Sequence, residues 1–206
     1  MDIVIVDYGM GNLSSVLNSF EFLGASAKIS KNPGDLEQAS KIVLPGVGAF
    51  GDGMKNLKNM GWLPALEREA RVKQKPFLGI CLGMQLLAEK SFEFGAFEGL
   101  GWIKGTVELL PAFEPDVRIP HIGWNDVSFL KKDVLYKDMG DFDAFYFVHS
   151  YAFRPEDSDV VSGVCEHGDK FVASIEKNNI FATQFHPEKS QKTGLRILKN
   201  FLKVST

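Results

Sequence analysis

One cysteine, Cys81, stands in Gly79-Ile80-Cys81-Leu82-Gly83, between a strand-like run from Lys75 to Ile80 and a helix-like run from Gly83 to Lys90. Glycine two residues to either side lets the backbone turn sharply without Cβ clashes, the pattern of a nucleophile elbow with sulfur in place of oxygen. Such a turn sets the thiol at a strand's carboxyl end, facing the N-terminus of the next helix. Amides there favour a thiolate and can bind an oxyanion. Far downstream, Phe185-His186-Pro187-Glu188 closes a second strand-like run. Residues two apart on extended chain project to one side, which lets Glu188 orient His186. Nucleophile, base and orienting carboxylate are all present. Singly, each has a plainer reading: a cysteine between glycines packs as a small hydrophobe in a tight turn, and His-Pro makes a surface turn. Together, in the context of an elbow, they favour catalysis.

These residues need a scaffold, and 206 residues can bury a substantial single core. No Pro/Gly/Ser-rich linker or composition break divides the chain, so one domain over 1–206 is expected. A formal charge of -3 argues against a basic footprint for nucleic acid or an anionic membrane, and a small ligand is expected. Met1 to Val6 reads as an opening strand and a poor secretory signal, and no apolar run is long enough to span a bilayer. A cytoplasmic location with free thiols at Cys81 and Cys165 follows as the expectation. Cys165 reads as a core residue. The histidines and cysteines show neither Cys-x-x-Cys nor His-Glu-x-x-His spacing, so neither a metal nor another cofactor is expected.

The first half alternates strands and helices. A buried strand from Asp2 to Asp7 leads through Tyr8-Gly9-Met10-Gly11-Asn12 into Leu13, Val16, Leu17 and Phe20 at helical spacing. A short strand at Lys28 to Ser30, a short helix at Asp35 to Ala39 and a buried strand at Lys41 to Leu44 follow, the last ending in Pro45-Gly46-Val47-Gly48. Helices are predicted around Asp52 to Met60 and from Leu63 to Gln74, ahead of the elbow strand and its helix. This alternation implies an α/β fold with a mostly parallel sheet covered on both faces, and ligands bind such sheets at the strands' carboxyl ends. After about Gly99 the chain turns β-rich, with short antiparallel or mixed strands predicted at Gly101 to Ile103, Gly105 to Leu109, Val127 to Leu130, Ala144 to Val148, Val160 to Glu166 and Phe171 to Ile175. Asn179 to Phe185 returns to buried-strand style. Leu195, Leu198, Phe201 and Leu202 predict a helix from Gly194 to Val204.

The Gly-x-Cys-x-Gly elbow followed by Met84-Gln85, with His186-x-Glu188 late in the chain, resembles the class I (triad) glutamine amidotransferases. Further motifs run in the same order: Asp7 to Leu13, Leu44 to Phe50, Pro120-His121-Ile122-Gly123-Trp124-Asn125, Tyr146 to Tyr151 and Gln184 to Ser190. Nearly end to end, these are similar to the glutaminase subunits of imidazole glycerol phosphate synthases in histidine biosynthesis. The resemblance implies a flavodoxin-like amidotransferase fold and hydrolysis of glutamine through a Cys81-His186-Glu188 triad and a glutamyl thioester. It implies an oxyanion hole from backbone amides of Leu82 and of Gly46-Val47, and glutamine contacts from Gln85, Gly48 and the backbone of His149-Ser150-Tyr151. By residue type alone, Pro45 to Gly48 reads as a tight turn and Gln85 as a polar residue on a helix's exposed edge.

The resemblance further implies a heterodimer with a (β/α)8-barrel cyclase that uses the ammonia to make imidazole glycerol phosphate. Asn12, Arg118, His121, Trp124 and Lys189 fall on its docking face, with His121 and Trp124 in a turn-like segment. Trp102 departs from the family pattern, where a smaller aliphatic residue is expected. A paralogue feeding ammonia to sugar amidation shares the same half-reaction. The glutaminase of pyridoxal phosphate synthase, a γ-glutamyl peptidase or hydrolase, and a non-catalytic clamp subunit are further alternatives.

Overall fold

The computed structural model describes residues 3–111 and 117–205. Met1 and Asp2, the start of the predicted opening strand, lie outside the described residues. In chain order the elements are β1 (Ile3–Val6), α1 (Leu13–Phe22), β2 (Ala27–Ser30), β3 (Lys41–Gly46), α2 (Phe50–Asn59), α3 (Trp62–Leu66), β4 (Phe77–Cys81) and α4 (Leu82–Gln85). There follow β5 (Lys90–Ser91), β6 (Phe97–Glu98), β7 (Gly105–Leu109), β8 (His121–Phe129), β9 (Phe142–His149), β10 (Tyr151–Pro155), β11 (Val161–His167), β12 (Asp169–Lys177), β13 (Ile180–Thr183) and α5 (Gln191–Leu202).

The main sheet has nine strands in the order β2-β1-β3-β4-β13-β12-β11-β8-β9. From β2 to β13 the pairings are parallel, and from β13 to β9 antiparallel. Every residue of β1 and β4 is buried, as a strand covered on both faces requires. Alternate side chains feed two cores. Val4, Val6 and Leu44 pack with Phe50 and Leu57 of α2 and with Trp62 and Leu66 of α3. Ile3, Ile5, Leu78 and Ile80 pack with Val16 and Phe20 of α1 and with Ile197, Leu198 and Phe201 of α5.

The β-rich half extends the same sheet and adds a second one, ordered β10-β7-β5-β6. Ser150 alone separates β9 from β10, so the chain crosses from one sheet to the other there.

Several elements differ from the sequence expectations. The helix after Cys81 spans only Leu82–Gln85: beyond it Leu87 and Ala88 make tighter i to i−3 bonds, and Glu89 then donates to Gly105 O as the chain enters the small sheet. The short helix near Asp35 is a 3₁₀ turn at Pro33–Glu37, and the helix expected over Leu63 to Gln74 is α3 followed by a π turn at Glu67–Val72. Gly101 to Ile103 is not a strand. The amides of Trp102 and Ile103 both donate to Leu87 O, which holds the segment against the elbow helix. The Trp102 ring is buried edge-on to Phe77, 5.1 Å between centroids, and its Nε1 donates to Glu67. Trp102 is therefore a core residue, 5 % exposed. Finally, the segment expected as a turn around His121 and Trp124 lies inside β8, paired residue for residue with β9 from His121↔His149 to Ser128↔Phe142.

Candidate active site

Parallel strands deliver the chemistry to one edge. β3, β4 and β13 are adjacent, with Gly46 opposite Cys81 and Thr183 opposite Ile80, so their carboxyl ends lie together. Cys81 ends the middle strand. Its backbone adopts φ 54, ψ -108, a conformation that costs a non-glycine residue roughly 1–3 kcal/mol and is held by its surroundings. The flanking glycines supply that constraint. A Cβ on Gly79 would come 2.6 Å from the Gly83 carbonyl oxygen, and one on Gly83 would overlap the carbonyl oxygen of Leu44. With only four residues, α4 carries little macrodipole, which arises from aligned peptides. The free amides of its first turn, beginning with Leu82, are the useful part.

His186 arrives from the neighbouring strand. Its amide donates to Tyr146 O at 3.0 Å, and its carbonyl accepts from Ser190 Oγ at 2.6 Å, while Ser190 Oγ also accepts from Tyr146 N. These bonds fix the ring's base. Nδ1 lies 2.7 Å from Glu188 Oε1, both side chains being 2 % exposed. The sequence expectation had Glu188 reaching His186 along extended chain, but β13 stops at Thr183 and Pro187–Lys189 forms a 3₁₀ turn. The proline imposes that turn, and the carboxylate folds back onto the imidazole through it. Burial works against the imidazolium of His186, but the charge of Cys81 close by, and then Glu188, outweigh it and raise the pKa to about 10. Among the described residues Nε2 has no partner at ordinary hydrogen-bond geometry, so sulfur and ring are associated mainly through charge.

A cavity of about 530 Å³ opens over the sulfur. Its lining includes Val47 and Gly48 from the end of β3, Leu82 and Gln85 from α4, and His149, Ser150 and Tyr151 from the β9–β10 crossing. Val47 is 40 % exposed and Gly48 has φ +100, so the end of β3 is an open, glycine-dependent turn, whereas Gly46 is packed against Tyr8 and Leu82. A larger hollow of about 820 Å³ adjoins it past Ala49, Glu93 and Phe94 but contains none of the triad residues.

Gln85 corrects the picture of an exposed helix edge: it is 5 % exposed and donates from Nε2 to Tyr151 O at 2.8 Å and to Gln184 Oε1 at 3.0 Å. His149 is buried beside the cavity, and its pKa is pushed down to about 3, chiefly by burial. It is neutral at pH 7. Of the residues expected on a docking face, Trp124 is 49 % exposed and stacks edge-on to Tyr146 at 6.3 Å, and Lys189 Nζ lies 5.9 Å above the same Tyr146 ring. Asn12 and Arg118 are exposed. His121 is not available for docking: it is 3 % exposed, stacked on His167 and Phe147 on the inner side of β8, where strand alternation puts it opposite to Trp124.

Three site residues were not singled out from the sequence. Glu93 reaches the cavity from the loop after β5 and accepts from the Phe50 amide at 2.6 Å; burial pushes its carboxyl up, against the pull of that amide. Gln184 donates to Cys81 Sγ at 3.7 Å. Among the described residues the hydroxyl of Tyr8, buried beside Gly46, has no partner, and burial, then the charge of Cys81, raises its pKa. Glu93 lies in a loop with no periodicity to signal it. Gln184 opens the Gln184 to Ser190 motif, the one local cue.

The class-I glutamine amidotransferase family model matches residues 4–204. The chain is 50 % identical over 204 residues to imidazole glycerol phosphate synthase subunit HisH 1 of Campylobacter jejuni, covering 98 % of this chain and all of that one. It is 50 % identical over 202 residues to the HisH subunit of Aquifex aeolicus, covering 98 % and 96 %. Among solved structures, a glutamine amidotransferase superposes with TM-score 0.74 at 21 % identity, covering 97 % of each chain, and PurLQS from Thermotoga maritima with TM-score 0.71 at 18 % identity, covering 98 % and 97 %. The chain belongs to the class-I glutamine amidotransferases and, within them, to the HisH subunits of imidazole glycerol phosphate synthase.

Proposed function

We propose that this protein hydrolyses glutamine at Cys81 and passes the ammonia to a (β/α)8-barrel cyclase that forms imidazole glycerol phosphate. The observation that carries this reading is the charge coupling of Cys81 to the His186–Glu188 pair, which follows the strand next to β4, with Cys81 lining a cavity large enough for an amino acid. The thiolate attacks the carboxamide carbon, and the new C–S bond turns the carbonyl oxygen into an oxyanion. The amide of Leu82 and one from Gly46-Val47 receive it; losing one such donor typically lowers the rate about 100- to 1000-fold. The imidazolium of His186 gives its proton to the departing nitrogen, ammonia leaves, and a glutamyl thioester is left on Cys81. Neutral His186 then takes a proton from water, which attacks the thioester and releases glutamate. Glu188 accepts from Nδ1–H throughout and stabilises the cation.

The cavity suits glutamine. Glu93 supplies a carboxylate for the substrate ammonium, and Gln85, Gly48 and the His149-Ser150-Tyr151 backbone bound the rest. The names of the Campylobacter and Aquifex relatives support the histidine-pathway partner over a sugar-amidating one. Trp124, Lys189, Asn12 and Arg118 are proposed to meet that partner. The whole chain, 1–206, acts as a single domain in the cytoplasm.

The test is glutamate release by the chain alone and with a barrel cyclase plus its nucleotide substrate. Cys81→Ala abolishes the glutamine-dependent reaction and leaves synthesis from added ammonium intact. Glutamine-dependent synthesis that survives Cys81→Ala would reduce the chain to a clamp, and activity indifferent to the cyclase would move the acceptor elsewhere.

A further inference from the structure

A line of hydrogen bonds runs from β8 to the sulfur of Cys81, and its two arms converge on the Tyr151 carbonyl, which accepts from His149 on one side and from Gln85 on the other. At the outer end, Asn125 Oδ1 accepts from the Asp126 amide at 2.8 Å, so its Nδ2 must be the donor to Glu166 O at 2.8 Å and to His121 Nε2 at 3.2 Å. In the middle, Tyr151 O can only accept, so His149 Nδ1, 2.9 Å away, carries a proton. The depressed pKa of His149 keeps its other nitrogen bare. His149 Nε2 therefore accepts from His121 Nδ1–H at 3.1 Å, which leaves His121 Nε2 bare, as Asn125 requires.

The same Tyr151 carbonyl orients Gln85. Its Nε2 donates to Tyr151 O and to Gln184 Oε1, which turns Gln184 Nε2 toward Cys81 Sγ at 3.7 Å. Gln85, Gln184, His121 and His149 are each at most 6 % exposed, so water does not compete for these bonds. Reversing any one group would set donor against donor or acceptor against acceptor at its neighbour. Asn125 follows Trp124 on β8 with its side chain on the opposite face, so one end of the line lies on the strand that exposes the tryptophan and the other at the nucleophile.

We propose that Asn125, His121, His149, the Tyr151 carbonyl, Gln85 and Gln184 form a positioning relay, joined at the shared Tyr151 carbonyl, that holds the Cys81 sulfur and ties its placement to strand β8. Gln184 is the member that touches the reacting atom. His121 and His149 are positioning residues that act through the Tyr151 carbonyl. This deepens the assignment of Cys81 as nucleophile and rests on it for its catalytic meaning, but not for its structure.

The experiment uses the full chain labelled with ¹⁵N-histidine. Long-range ¹H–¹⁵N correlation at neutral pH reads the tautomer of each of the four imidazoles. His121 and His149 should both be protonated at Nδ1 and bare at Nε2. Either ring found protonated at Nε2 overturns the relay. The second measurement is the rate of iodoacetamide capture at Cys81, read by peptide mass spectrometry. His121→Leu, which keeps the volume but neither nitrogen, should change it by about three- to tenfold, the scale of one lost hydrogen bond. His121→Asn presents an N–H near the position of Nδ1 and should restore most of the rate. An unchanged rate in His121→Leu, or equal effects of leucine and asparagine, overturns the relay and leaves His121 a packing residue. Should the leucine variant fail to fold, the tautomers of the unmodified chain still decide. Neither readout uses glutamine turnover, so failure here is distinct from failure of the glutaminase assignment, which Cys81→Ala tests.

Discussion

Gly83 and Leu44 meet backbone to backbone: the Leu44 carbonyl oxygen occupies the space that a Cβ on Gly83 would take. The contact locks the first turn of α4 onto β3, and with it the angle at which Cys81 leaves β4.

Gly83→Ala should therefore destabilise by more than the 1–3 kcal/mol typical of overpacking, because backbone and not a flexible side chain must yield. Gly24→Ala is the comparison, since Gly24 has φ +77 but nothing within 4 Å of its Cβ position and is charged only for conformation. Urea midpoints should fall further for Gly83→Ala, together with glutaminase rate. Equal midpoints would show that the elbow tolerates a shift of β3.

Cys81 itself sits at φ 54, ψ -108, where glycine is at ease and cysteine is strained. Cys81→Gly should abolish glutaminase activity and yet raise stability by about 1 kcal/mol, a gain set against the loss of thiol packing. Thermal unfolding of the variant against Cys81→Ala, which retains the Cβ, isolates the backbone share. A glycine variant less stable than the alanine one would show that the elbow is unstrained.

How far the site was legible in the sequence depends on how local its causes are. The elbow could be read from Gly79, Cys81 and Gly83 because the clash that demands glycine lies within the turn and its adjacent strand. The parallel half of the sheet was legible for a similar reason, since β1, β3 and β4 are continuous apolar runs. What stayed hidden depends on partners far along the chain. His121 and Gln85 have ordinary local contexts, and only the β8–β9 register and the approach of Tyr151 bury them. The α4 helix was predicted too long because its apolar spacing continues to Ala88, while the bond from Glu89 to Gly105 diverts the backbone. The pairing of His186 with Glu188 was anticipated through the wrong geometry, since the Pro187 turn and not an extended strand brings them together.

Tyr8 presents a buried hydroxyl with no partner among the described residues, against the backbone of Gly46. Removing an unsatisfied buried polar group relieves its desolvation penalty, on the order of 1–3 kcal/mol. Tyr8→Phe should thus be at least as stable as the unmodified chain, with the ring still packed in the core. If it instead unfolds more readily, the hydroxyl has a hydrogen-bond partner in solution, and the Gly46–Val47 turn adjoining it is the first place to look by amide exchange.

The histidines give the fold opposite responses to acid and base. Burial first, and neighbouring imidazoles second, hold His149 near pKa 3 and His121 near 4, against an ordinary value of 6.5. The unfolded chain therefore binds these protons first as pH falls, and stability should decline from about pH 6.5 down through 4 and 3. His186 runs the other way. Its pKa is raised to about 10 by its partners, so its contribution is complete below 6.5 and lost as pH rises through 10. Cys81→Ala removes the larger of the favourable influences on His186 while leaving intact the burial that chiefly sets His121 and His149. Urea midpoints from pH 4 to 10 should show the acid limb unaltered in Cys81→Ala and the alkaline limb flattened. An alkaline limb as steep in the variant as in the unmodified chain would mean that Glu188, not the thiolate, holds the proton on His186.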